Sequence, residues 1–495
     1  MTHIPPGYGD LPATQDELGF TPAAQALATI ITGADIADTP LTLGIYGPWG
    51  SGKTSLMQMI YQPWAESEQP HPTVLPVWFD AWRFAQSDAL WRALLITVIE
   101  AIRKSVVKDE DRLRTLLGKP EAHDRLKLPA DRADAQKALE QRLDDLIAGL
   151  YRTVEREELG GISIDWPEAG KAAAGTAIRV GLDSLPFVGA VRQSIEELVG
   201  GAGGNAAGLA KAIRRERAKI YRDQITSLEQ FYKELQALIQ TWTDLAGYRL
   251  VVFIDDLDRC LPEQAIGVLE ALKVFLDIRG CVFVLGVDRE IIERGIRVRY
   301  KEFALAGADK GPFPVAERDY LEKIVQVPFT LPPLAPQAIS RFLSSRLPHV
   351  AELSDEERTQ VAALMTTGLL RNPRKVKRSF NIFRLHLSLD RAQGRTTPAG
   401  LLAKLTVIQS SFPDIYERLA KEPALLKSIE AIARGIGSPT PIPQALRDEL
   451  SQQDPRLREM LHQPPWYEHL SDEAIAELVY QSRVTEDGTA APSEF

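Results

Sequence analysis

Eight consecutive residues, Gly47-Pro48-Trp49-Gly50-Ser51-Gly52-Lys53-Thr54, follow the order G-x-x-x-x-G-K-[ST]. The chemistry open to that order is phosphate binding. Glycines let the backbone curl so that several N–H groups converge on one anion, and the N-terminus of a following helix adds positive potential. Lys53 can reach β- and γ-phosphate oxygens, and the Thr54 hydroxyl can ligate Mg²⁺. With Ser55 carrying the loop into its helix, Gly47 to Ser55 form the candidate nucleotide-binding stretch. A second group lies far along the chain, where Leu250-Val251-Val252-Phe253-Ile254 runs into Asp255 and Asp256. Asp255 is placed to hold Mg²⁺, directly or through water, and Asp256, facing the other way, to polarise an attacking water. The plainer reading is a pair of Asp residues capping the next helix. Asp258 and Arg259 either form a local ion pair that holds the turn, or Arg259 reads nucleotide state. Asp288, at the end of another apolar run, is either a polar sensor beside the γ-phosphate or a helix cap.

Such residues act together only if strands and helices bring them to one edge. Leu41 to Tyr46 reads as a buried strand, a short apolar run between a Pro and a Gly. Thr54 to Tyr61 reads as a helix. Further strands are expected at Val74 to Phe79, Leu250 to Ile254, Cys281 to Val287 and Ile324 to Phe329, separated by helical stretches. That alternation predicts an α/β fold with a central parallel sheet covered on both faces. Between the second and third strands lies a long, mainly helical excursion, with helices expected over Asp88 to Lys104, Asp131 to Glu157 and Leu209 to Leu245. Strand signals stop near Ala335, and helices are expected at Gln337 to Arg346, Asp355 to Leu370, Arg374 to Leu389 and through Thr397 to Tyr480.

The composition narrows the function classes. The chain has 495 residues, 44% hydrophobic and 25% charged, which excludes wholesale disorder and suggests more than one domain. Against 67 Asp and Glu stand 58 Lys and Arg, a formal charge of −9. The molecule as a whole therefore offers no field for nucleic acid, and any polyanion binding must come from a local patch. Positive charge gathers at Lys211–Arg222, the densest basic segment, and at Arg371–Arg384. A solvated charge face is the plainer reading for the first and for Lys375, Lys377 and Arg378 in the second. Only 2 Cys are present, Cys260 and Cys281, so a disulfide scaffold is excluded and buried thiols are expected. Neither H-E-x-x-H nor G-x-S-x-G occurs. The first residues lack the pattern of a signal peptide, and the Gly- and Ala-rich stretch Ala172–Ala210 is too charged and broken to span a membrane. A cytoplasmic protein is expected. Trp78, Phe79, Trp82 and Phe84 are read as core aromatics, since no basic stripe is interleaved with them.

Together these blocks resemble the KAP family of P-loop NTPases, related to the STAND and AAA+ groups. The loop IYGPWGSGKTSLM, with Trp49 inside it, is similar to the family's form. So are Val77 to Phe84, FIDDLDRC, VFVLGVDREII, YLEKIVQVPF and the block Arg371 to Arg378. Asp80 stands where the family more often has Asn. The resemblance implies an ATPase core that uses ATP and Mg²⁺, consistent with Lys53 on the phosphates, Asp256 on the attacking water and Asp288 as a sensor beside the γ-phosphate. It also implies a helical lid whose Arg374 projects toward the γ-phosphate, an interaction that exists only while that phosphate is present. The expected division is residues 1–87 and 247–334 for the core, 88–246 for the insertion, 335–395 for the lid and 396–495 for a C-terminal helical region. The expected activity is a nucleotide-driven conformational or assembly switch, with bacterial anti-phage defence as its associated setting. Its partner is a second protomer or another protein, met through the insertion or the C-terminal helices. The alternatives are a nucleic-acid-associated ATPase and a nucleotide-binding scaffold with little turnover.

Overall fold

A computed structural model of the chain describes residues 16–66, 71, 73–85, 90–160, 230–275, 278–299, 317–437 and 454–483. Among the described residues, five strands form one sheet: β1 (Leu41–Tyr46), β2 (Val74–Asp80), β3 (Arg249–Asp255), β4 (Cys281–Val287) and β5 (Val327–Thr330). Every pairing is parallel, and the spatial order is β2-β3-β4-β1-β5. β4 therefore stands between the strand that leads into the glycine-rich loop and the strand that ends in the carboxylates. All residues of β3 and β4 are buried, which is why both strands read as unbroken apolar runs rather than alternating ones.

Alternate residues of these strands feed two apolar cores. Val251, Phe253, Val282 and Val284 face the Thr21–Gly33 and Lys53–Ala65 helices. Val252, Ile254, Phe283 and Leu285 face the helices of the long excursion, among them Leu90–Ile102 and residues 230–246, together with Pro262–Phe275 and Arg289–Arg299. The first core continues without a break through the helices Pro336–Arg346, Asp355–Gly368, Pro373–Ala392 and Ala399–Ser411 to Asp472–Ser482. Residues read from sequence as a lid and as a C-terminal region thus share apolar packing.

Two boundaries differ from the sequence expectation. The last strand begins at Val327, not Ile324, because Ile324 closes the Glu317–Ile324 helix and is buried in the second core with Val325. A short apolar run has no periodicity that could separate these outcomes. The helix expected to reach Lys104 stops at Ile102, and a π turn over Arg103–Val107 carries Val106 and Val107 into the core. Ala172–Ala210, Lys211–Arg222 and the first part of the helix expected from Leu209 lie outside the described residues. Among the described residues no helix is long and apolar enough to cross a membrane.

Candidate active site

Parallel strands end on the same edge, so the segments after β1, β2, β3 and β4 lie along one rim, where ligands of open α/β sheets bind. The register puts Tyr46 opposite Val287, Ile254 opposite Leu285, and Asp80 opposite Asp255. The glycine-rich loop leaves β1 at Gly47, whose N–H donates to the Val287 carbonyl. Gly50 and Gly52 both have positive φ, 78° and 102°. Space forbids a side chain at Gly52 as firmly as conformation does, because a Cβ there would lie 2.6 Å from the Phe20 ring.

Phe20 is held there by its own turn. Asp16 accepts from the N–H groups of Leu18, Gly19, Phe20 and Thr21 and from the Thr21 hydroxyl. Although burial pushes its carboxyl up, the bonds from Thr21, Phe20 and Gly19 prevail and hold it at about 2. Neither Phe20 nor Asp16 was singled out by the sequence. The Asp-x-x-x-x-Thr spacing ahead of a helix was the signal.

Lys53 begins the Lys53–Ala65 helix and is buried. Its Nζ donates to the Gly47 carbonyl at 2.9 Å and lies 3.3 Å from Asp258 Oδ2. Asp258 Oδ2 also accepts from the Asp288 N–H at 3.0 Å. The local pair expected between Asp258 and Arg259 is therefore not formed. Arg259 instead pairs with Asp256 at 2.9 Å, and Asp258 turns inward to Lys53. The reason is charge: a buried ammonium needs a carboxylate, and Asp258 is the acid that the Leu257–Arg259 turn points inward. Asp288 has its Oδ1 on the Glu290 N–H at 3.1 Å, at the start of the Arg289–Arg299 helix, so of its two readings the cap is the one with a bond.

The two carboxylates that end β3 differ sharply. Asp255 is almost fully buried, accepts from the Thr54 hydroxyl, and has an Oδ1 without a hydrogen-bond partner. Burial first, then repulsion from Asp256 and Asp258, push its carboxyl up to about 7, while the Thr54 hydroxyl works against them. A buried, partnerless carboxylate oxygen beside a hydroxyl fits a divalent cation that takes one or two protein oxygens and completes its shell with phosphate and water. Asp256 is more open, adopts φ 55°, and its side chain accepts no backbone N–H of the turn that follows it, so the capping reading fails for it there. Burial raises its pKa, Arg259 pulls it down, and Asp80 and Asp258 push it up.

One consequence is a pH dependence. Between the ordinary 3.8 and about 7, folded protein keeps a proton on Asp255 that the unfolded chain has released. The nucleotide-free protein should therefore lose stability as pH rises through that window, and the loss should be complete above it. Asp255→Asn carries no such charge. Relative to wild type it should gain stability, on the order of a few kcal/mol, between pH 5 and pH 8. Thermal melts of both proteins at the two pH values check this, and a constant difference contradicts it.

Arg374 comes from the Pro373–Ala392 helix, whose first residues meet the loop directly. The Arg374 N–H donates to the Gly50 carbonyl at 3.3 Å, and Asn372 Nδ2 to the Trp49 carbonyl at 2.9 Å. The Arg374 guanidinium lies over the Trp49 ring. The structure thus brings Gly47, Pro48, Trp49, Gly50, Ser51, Gly52, Lys53, Thr54, Asp255, Asp256, Asp288 and Arg374 to one rim. Asp258, read from sequence only as a partner for Arg259, belongs there too, as does Asn372, which nothing in the sequence distinguished from its neighbours.

Of the aromatics read as core, Phe79 is buried and Trp78 stacks on Phe253, but Trp82 is 53% exposed and Phe84 also reaches the surface. β2 ends at Asp80, so the two later rings fall beyond the sheet that covers the first two. Cys260 and Cys281 are buried free thiols, as expected. Arg384, at the end of the basic segment Arg371–Arg384, is buried in the Pro373–Ala392 helix.

The chain is similar to several known proteins. A phage T7 exclusion protein of Escherichia coli (strain K12) is 24% identical over 321 residues, covering 64% of this chain and 33% of that protein. A human protein named NTPase KAP family P-loop domain-containing protein 1 is 23% identical over 309 residues, 57% of this chain and 46% of its own length. The chain spans a third to a half of the length of these two relatives. Among solved structures, the Aeropyrum pernix ORC2 protein in ADPNP–ADP complexes aligns over 98% of this chain and 97% of its own, at 13% identity and a TM-score of 0.32. Residues 20–389 match the KAP family P-loop domain, and with the loop, the five-stranded parallel sheet and the paired carboxylates at one rim, the chain belongs to the KAP family of P-loop NTPases.

Proposed function

We propose that this protein binds and hydrolyses ATP with Mg²⁺ and uses the cycle as a conformational switch. The observation that carries the reading is the convergence of Lys53, Thr54 and the partnerless oxygen of Asp255 on one rim, beside the more open Asp256. Backbone N–H groups of Gly50 to Thr54 would cradle the phosphates, and Lys53 would neutralise their outer oxygens. Thr54 and Asp255 would hold Mg²⁺, which supplies charge neutralisation across the phosphates. Asp256 would orient water for in-line attack, and Arg374 would meet the γ-phosphate from residues 335–395, which act as the lid. Asp288, which caps a helix, would contribute through its backbone placement next to Asp258.

Core residues 1–87 and 247–334 would pass closure of the lid to the insertion 88–246 and to residues 396–495, where a second protomer or a protein partner would read it. The similarity to a phage T7 exclusion protein supports anti-phage defence as the setting. The test is phosphate release from Mg·ATP by wild type and by Asp256→Asn. Wild type should turn over, and Asp256→Asn should bind ATP as tightly while releasing phosphate about 10²-fold more slowly. A wild type that binds no ATP, or an Asp256→Asn protein with unchanged turnover, overturns the reading.

A further inference from the structure

We infer that Trp49 is a positioning residue that couples the lid arginine to the carboxylate held by Arg259, so that both respond together to a γ-phosphate. This rests on the triphosphate site proposed above. Trp49 sits at the tip of the glycine-rich loop and is 63% exposed, so burial is not what holds its ring. Two guanidinium groups do. Arg374 Cζ lies 5.0 Å from the ring centroid and Arg259 Cζ 6.0 Å. A guanidinium is attracted to the face of an indole and stacks there with little loss of hydration.

The two arginines have different ties. Arg259 is bonded to Asp256 at 2.9 Å. Arg374 belongs to the lid helix, and its own N–H is fixed to the Gly50 carbonyl. On the other side of the ring's backbone, Asn372 holds the Trp49 carbonyl. The loop and the helix start also lie too close for adjustment, since a Cβ on Gly50 would come 2.8 Å from Arg374 Cβ and 2.9 Å from Asn372 Oδ1. The backbone of the loop and the helix start therefore stay docked whichever nucleotide is bound.

The consequence concerns which nucleotide is bound. A γ-phosphate offers Arg374 a stronger partner than the ring does, because a charge-assisted bond outweighs a cation–π contact. As Arg374 turns to the phosphate, the ring is left to Arg259 alone, and the hold of Arg259 on Asp256 changes with it. ADP offers no such group and leaves both arginines on the ring. Trp49 thus links recognition of the third phosphate to the residue that orients water.

The experiment measures ATP and ADP affinity together with kcat for wild type, Trp49→Phe, Trp49→Ala, Arg374→Ala and the double variant Trp49→Ala/Arg374→Ala. Trp49→Ala should raise the preference for ATP over ADP about fivefold, because ATP no longer has to draw Arg374 off the ring, and should lower kcat, because Arg259 no longer responds to that move, while ADP affinity stays unchanged. Trp49→Phe, which keeps a ring face, should stay near the wild-type preference. In the Arg374→Ala background, the further change Trp49→Ala should alter the preference no more, because the two act as one unit. A Trp49→Ala effect of the same size in the Arg374→Ala background, or a Trp49→Ala protein with the wild-type preference, overturns the inference alone. A wild type that binds neither nucleotide overturns the triphosphate site, and this inference with it.

Discussion

Lys53→Ala is expected to lower phosphate release from Mg·ATP by about 10²-fold or more, the range found when one preorganised donor to a developing anion is removed. The same substitution should also lower stability. Asp258 would then be left buried, with only the Asp288 N–H for its charge. Leaving such a group partly unsatisfied costs about 1–3 kcal/mol. These effects separate in the double variant Lys53→Ala/Asp258→Asn, which removes the unpaired charge. Its denaturation midpoint should return toward wild type while turnover stays lost. Phosphate release and urea unfolding of the two variants decide the matter. If Lys53→Ala keeps wild-type turnover, Lys53 does not bind the phosphates. If the double variant stays as unstable as the single one, the pair with Asp258 is not what stability senses.

Glu430→Ala should destabilise the C-terminal helices by about 3–5 kcal/mol, the cost of leaving one member of a buried ion pair behind. Lys404 and Glu430 are almost wholly inaccessible, and Lys404 Nζ lies 2.8 Å from Glu430 Oε1. Each is satisfied further: Lys404 donates to the Leu461 carbonyl, and Glu430 Oε2 accepts from the Tyr467 N–H at 2.6 Å. The Tyr467 hydroxyl in turn donates to the Leu401 carbonyl. Burial pushes the Lys404 ammonium down and the Glu430 carboxyl up, and each charge resists the shift of the other. Four segments, Ala399–Ser411, Leu425–Ala433, Pro455–Leu461 and Tyr467–His469, meet at this one pair. Replacing both members, as Lys404→Met/Glu430→Leu, should be near neutral, since an apolar pair needs no partner. Chemical denaturation of the three proteins checks both statements, and a loss below about 1 kcal/mol for Glu430→Ala would contradict the first. Because the apolar core of these helices continues to the sheet, a large loss here should also lower the unfolding midpoint followed at the nucleotide site.

These two predictions mark how far the chain could be read as a string of residues. Lys53, Thr54, Asp255 and Asp256 were legible because phosphate and Mg²⁺ chemistry needs particular residue types at local spacing, and β3 and β4 because full burial writes unbroken apolar runs. Lys404 and Glu430 carried no signal, since a helix with one Lys and a helix with one Glu look like any surface helices until packing buries both. Asp258 looked like the partner of its neighbour Arg259, and only the course of the Leu257–Arg259 turn exchanged those partners.

The sequence by itself therefore determined the family, the parallel α/β core, the phosphate loop and the two carboxylates that end β3. Tertiary structure decided the strand order that sets β4 between loop and carboxylates, the burial that raises Asp255, and the placement of Asn372, Arg259 and Arg374 around Trp49. The physical reason is the range of the forces involved. Turn geometry and hydrophobic period act between near neighbours and are written locally. Desolvation, charge pairing and ring contacts depend on which distant segments come together, and that exists only in the folded chain.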